Sequence, residues 1–103
     1  MAKAARPRIE IEYCTRCRWL LRAGWIAQEI LSTFEDEIGE VAIKPNARGG
    51  VFEVRVGRRV AWSRKKEGRF PDAAELKQRV RDIVSPARDL GHIDRAKKPK
   101  RRA

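Results

Sequence analysis

The chain has two cysteines, three positions apart in the stretch EYCTRCRW, residues 12–19. A C-x-x-C pair can serve as half of a metal site, as a dithiol that trades electrons, or as two thiols that only pack. A closed zinc site needs four ligands, and His92 is the only other thiol or imidazole, so the metal set falls short and no cofactor is called for. Free cysteine also packs as a small hydrophobe, which is the bland use of the pair. The redox use follows from the spacing: after one sulfur attacks a disulfide, the other can resolve the mixed disulfide. Arg16 and Arg18 favour a thiolate here, although exposed charges are screened. Ser32, Ser63 and Ser85 have no histidine or acid at a recognisable spacing, so hydrolase chemistry finds no support.

The pair needs elements to hold it. Upstream, Ile9, Ile11 and Tyr13 alternate with Glu10 and Glu12, the period of a strand that runs straight into Cys14. Downstream, Trp19, Leu20, Ala23, Ile26, Ala27, Ile30, Leu31 and Phe34 recur at three- and four-residue steps and predict a helix that ends before Gly39. On this reading Cys14 closes the strand and Cys17 lies one turn into the helix. The positive end of the helix dipole then lowers the thiol pKa, and Cys14 is expected to be the more exposed sulfur. Leu21 and Trp25 fall off the apolar stripe, one turn apart, and predict an exposed apolar patch in which Trp25 can touch a partner.

EVAIKP reads as a short strand and NARGG as a loop in which Gly49 and Gly50 permit close backbone approach or simply make a turn. VFEVRV and RRVAWS form a hairpin around Gly57 and Arg58, KKEGRF is a polar loop, and Asp72 caps a helix carrying Ala73, Leu76, Val80, Ile83 and Val84 until Pro86. Trp19, Phe34, Phe52 and Phe70 read as core or core-edge residues. The order strand, helix, three strands, helix predicts an α+β fold: one mixed four-stranded sheet with helices packed on it, the first two strands being parallel.

The formal net charge of +11 points first to nucleic acid, but its distribution changes that reading. Residues 1–8 and 95–103 hold nine of the 25 basic side chains and no acid, leaving 16 against all 14 acids in between. The basicity belongs to the ends, which predicts a disordered arm at 1–7, a domain at 8–86 and a mostly disordered tail at 87–103 that makes at most a weak polyanion contact. No apolar run approaches the roughly eighteen residues of a membrane span, and MAKAARPR lacks the core of a signal peptide, so a soluble cytoplasmic protein with no membrane partner is expected.

YCTRC after the first strand, GGVFEVRVGRRVAWSRKKEGRFPD and the helix from Ala73 together resemble the thioredoxin-like selenoproteins W, T and H and their bacterial cysteine-containing relatives, the Rdx family. The resemblance spans residues 8–86. It implies a thioredoxin-like fold with a redox-active motif at its rim. It also puts the family's selenocysteine position on Cys17, where this chain uses sulfur. The cis-proline loop of thioredoxins is replaced by Arg48-Gly49-Gly50. The expectation is a thiol-disulfide redox protein with Cys14 as attacker and Cys17 as resolver. Thr15, Arg16, Gly49, Gly50 and Trp25 would contact the partner, either glutathione or a protein thiol. The alternative is a non-catalytic module that binds a protein or nucleic acid through this surface or the basic tail.

Overall fold

The computed structural model describes residues 6–95. Strand β1 (Arg8–Cys14) leads to helix α1 (Leu20–Phe34), strand β2 (Glu40–Asn46), the hairpin β3 (Phe52–Val56) and β4 (Arg59–Ser63), the single turn α2 (Arg64–Glu67), helix α3 (Ala73–Val84) and the short α4 (His92–Arg95). The sheet order is β2-β1-β3-β4. β1 pairs parallel with β2 and antiparallel with β3, so the expected mixed α+β sheet forms. The crossover helix α1 lies against β1 and β2, and α3 against β3 and β4. Pro45 sits on the edge strand β2, where its missing N–H costs no ladder bond.

One face of the sheet and the helices enclose Ile9, Ile11, Ile26, Ile30, Phe34, Phe52, Val54, Trp62, Leu76 and Val80. The apolar stripe of α1 is narrower than the sequence suggests. Ala23, Ile26, Ala27, Ile30 and Phe34 are buried, whereas Leu20 and Leu31 are 50% and 40% exposed. At about 100° per residue these two lie roughly 60° and 80° from the middle of the buried line, on the helix shoulder. Leu21 and Trp25 point away from the core, as expected.

Two stretches read as irregular are ordered. After β4, Ser63 accepts the Lys66 N–H and Gly68 closes the turn at φ 79°, so part of KKEGRF winds into α2. Trp62, fully buried, donates its indole N–H to the Arg69 carbonyl at 3.0 Å and fastens the following loop. Residues 87–95, expected to belong to the tail, pack on the domain: Arg88 donates to the Thr33 carbonyl and Glu37, and Arg81 grips Asp94 of α4 at 2.6 Å. These are long-range partners that composition does not reveal. Residues 1–5 and 96–103, with most of the expected arm and tail, lie outside the described residues. Among the described residues no helix is long and apolar enough to cross a membrane.

Candidate functional site

β1 delivers Cys14 to the end of the sheet, where its N–H donates to the Val51 carbonyl at 2.9 Å. The chain then turns through residues 15–18 before α1 starts at Leu20. Both cysteines therefore precede the helix, and Cys17 is not inside its first turn as the periodicity suggested. The turn is tight: Arg18 donates its N–H to Thr15, Trp19 donates to Cys14, and Arg18 itself adopts φ 60°, a left-handed conformation uncommon outside glycine.

Exposure is the reverse of the expectation. Cys14 is fully buried, and Cys17 is the partly exposed sulfur. The reason is that Cys14 is still a strand residue beneath the 47–51 loop, while Cys17 stands in the turn. Electrostatically, Cys14 remains the more acidic. Burial opposes its ionisation, but hydrogen bonds from the Cys17 thiol and from the N–H groups of Gly50, Cys17 and Arg16 outweigh that cost and hold it below the usual thiol range. The Cys17 N–H lies 3.1 Å from Cys14 Sγ. Cys17 is pushed above the usual range, first because its thiol hydrogen bonds to Cys14; the Gly50 N–H and the Arg64 charge pull against this. Backbone donors in the turn and the facing loop thus do the work that the helix dipole was expected to do.

Gly50 is the loop residue that counts. Its N–H favours the charged form of both sulfurs, and it holds φ 79°, a conformation that a side chain would strain. Gly49 is exposed beside it and has no such positive φ. The loop is anchored by Asn46, which gives its backbone carbonyl to the Thr15 N–H and its side-chain oxygen to the Arg48 N–H, 2.9 and 2.8 Å away. The Asn46 amide in turn donates to Glu12, and Arg55 holds Glu12 at 2.9 Å. Glu12, placed on the polar side of β1 by the alternation, is consequently almost fully buried. A chain of contacts thus runs from the open sheet face to the two loops that hold the sulfurs.

On the other flank, Trp19, Phe52 and Phe70 pack edge to face with centroids 4.8–6.4 Å apart. Arg64, first residue of α2, lays its guanidinium 4.9 Å from Trp19 and 5.1 Å from Phe70. Its Nε is buried without a hydrogen-bond acceptor. Among the described residues it has no carboxylate partner. Sequence reasoning missed Arg64, Asn46, Glu12 and Arg55, because each is brought in by a pairing more than twenty residues away. Of the expected contact residues, Thr15 and Arg16 rim the turn, both exposed, and Trp25 stands on α1 beyond Leu21, 44% exposed. Among the described residues no three His, Cys, Asp or Glu side chains gather as a metal site would need.

The Rdx family profile matches residues 8–82. A selenoprotein W-related protein from Vibrio cholerae is 49% identical, with a TM-score of 0.74 over 77% of this chain and 98% of its own. A protein from Bordetella parapertussis is 56% identical, with a TM-score of 0.72 over 75% and 96%. No curated protein matches the chain. The chain belongs to the Rdx family, and it shares its fold with the selenoprotein W-related protein from Vibrio cholerae.

Proposed function

We propose that this member of the Rdx family exchanges thiols for disulfides, cycling Cys14 and Cys17 between dithiol and disulfide. The observation that carries the reading is the closeness of the two cysteines, the Cys17 N–H lying 3.1 Å from Cys14 Sγ, beside an Arg64 guanidinium that has no carboxylate partner among the described residues. Two thiols that merely filled space would not need an amide and a cation turned toward them.

The order of attack follows from access. Cys14 cannot meet a bulky disulfide, so Cys17 makes the first attack and Cys14 resolves, the reverse of the assignment made from sequence. As Cys17 Sγ bonds to one sulfur of the partner disulfide, its proton passes to Cys14 Sγ, and the partner's other sulfur leaves as a thiolate. Arg64 and the Gly50 N–H stabilise the charge that Cys17 carries in that step. Cys14 then gives its proton to water, attacks Cys17 Sγ, and expels the second partner sulfur. The partner has gained two electrons, and the cysteine pair has lost two. A monothiol of the glutathione class, or a dithiol protein, closes the cycle by the same chemistry in reverse.

The test is a mass measurement after mild oxidation and alkylation. Oxidised protein is expected to take up no alkyl group and reduced protein two. Two groups under both conditions would refute the cycle.

A further inference from the structure

Beside the sulfurs lies an open groove of about 390 Å³ lined by Tyr13, Thr15, Arg18, Leu20 and Leu21. Thr15 and Arg18 belong to the turn that carries Cys17, so the groove shares its wall with the cysteine turn. From there it runs onto an apolar patch on α1: Leu20 is 50% exposed, Leu21 85% and Trp25 44%, with Leu21 and Trp25 one helical turn apart. Large apolar side chains gathered on a surface next to a reactive centre mark a place where another molecule sits. Arg18 lines it, and two more cations stand on the same turn and the start of α1. Arg16 and Arg18 are exposed, and Arg22 lies 4.0 Å over the Phe70 ring; among the described residues none of the three has a carboxylate partner.

We propose that this groove and patch dock an extended, acidic segment of a partner protein that carries an apolar side chain next to its reacting cysteine. The proposal rests on the redox reading and names the class of substrate. An extended segment fits because the groove runs from the cysteine turn onto α1, so a small thiol at Cys17 would leave Leu21 and Trp25 uncovered. Acidity fits because Arg16, Arg18 and Arg22 have no carboxylate partners among the described residues. A second copy of the chain fits poorly, since it would bring the same three arginines against their equals, on a protein already carrying a formal charge of +11.

Binding is read without chemistry, by fluorescence anisotropy of labelled octapeptides centred on Glu-Leu-Ser, the serine standing in for the reacting cysteine. The Glu-Leu-Ser peptide is expected to bind about tenfold more tightly than its Lys-Leu-Ser counterpart, and to weaken with added salt. Leu21→Ser, at a site too exposed to affect folding, is expected to weaken it about tenfold. Equal affinity for the two peptides, no binding, or indifference to Leu21→Ser would overturn the proposal. So would a dimer in sedimentation that Leu21→Ser dissolves. Reduction of the small neutral hydroxyethyl disulfide is measured beside it. Peptide binding without such reduction would sink the redox reading alone, and reduction without peptide binding would sink the docking proposal alone.

Discussion

Arginines on the open face of the sheet and at the α3–α4 junction are all answered by acids, whereas those around the cysteine pair are not. On the sheet, Arg55 bonds to Glu10, Glu12 and Glu53 at 2.5–2.9 Å, and Arg8 joins Glu10 and Glu40. At the junction, Arg81 clasps Asp94. Near the sulfurs, Arg16, Arg18, Arg22, Arg48 and Arg64 have no carboxylate among the described residues. A cation that pairs within the chain spends its field on the fold. One left open keeps its field for thiolates and for anions that arrive from outside. The two regions should therefore answer differently to the same kind of substitution.

The largest effect is expected from the sulfurs. Cys17→Ser should lower the exchange rate at least about 100-fold, because first attack is lost, while Cys14→Ser should trap a mixed disulfide on Cys17. Non-reducing mass spectrometry after addition of a disulfide peptide reads both. Trapping on Cys14 in the Cys17→Ser variant would restore the opposite order.

Next comes the pair that probes the comparison directly. Arg55→Met takes the shared cation from Glu10, Glu12 and Glu53, leaving Glu10 to Arg8 and Glu12 to Asn46, and should cost about 3 kcal/mol in urea unfolding, with a change in per-molecule exchange far smaller than that of the cysteine variants. Arg64→Met should do the converse. Stability should fall by no more than about 1 kcal/mol, the scale of a cation–aromatic contact, while the alkylation profile of Cys17 moves to higher pH. If both variants lose stability alike and neither alters the profile, the distinction between the regions fails.

Acid should act on the paired region first. Hydrogen bonds from Arg55 and then Arg8 lower the Glu10 pKa from its usual 4.5 to about 2. The folded value is the depressed one, so its contribution to stability is complete above pH 4.5 and drains away as pH falls toward 2. Thermal midpoints of the wild type and Glu10→Gln should converge across that window; parallel curves would show that Glu10 gains nothing from its arginines.

The smallest effect is expected in the turn. Arg18 holds φ 60°, which a side chain tolerates at a cost of roughly 1 kcal/mol. Arg18→Gly should thus stabilise the fold by up to about 1 kcal/mol in denaturant unfolding while weakening acidic peptide binding. A loss of stability instead would mean that the Arg18 side chain contributes to the fold.

Patterns of period two and period 3.6 specify β1, α1, the β3–β4 hairpin and the Asp72-capped α3, because which face of an element is buried is written in neighbouring residues. The hairpin is a clear instance: Gly57 takes φ 60° where the turn required it. The cysteine pair, the exposed Leu21 and Trp25 and the mixed sheet with its first two strands parallel were legible for the same reason. Which sulfur is buried was not. That depends on where the 47–51 loop returns over Cys14, and the loop is pinned by Asn46, Glu12 and Arg55 from three different strands. The thiol's charge balance was equally out of reach, since Gly50 and Arg64 come from parts of the chain more than thirty residues beyond Cys14. Local spacing determines the elements and the chemistry they carry. Exposure and pKa are sums over neighbours in space, and only the folded chain supplies those neighbours.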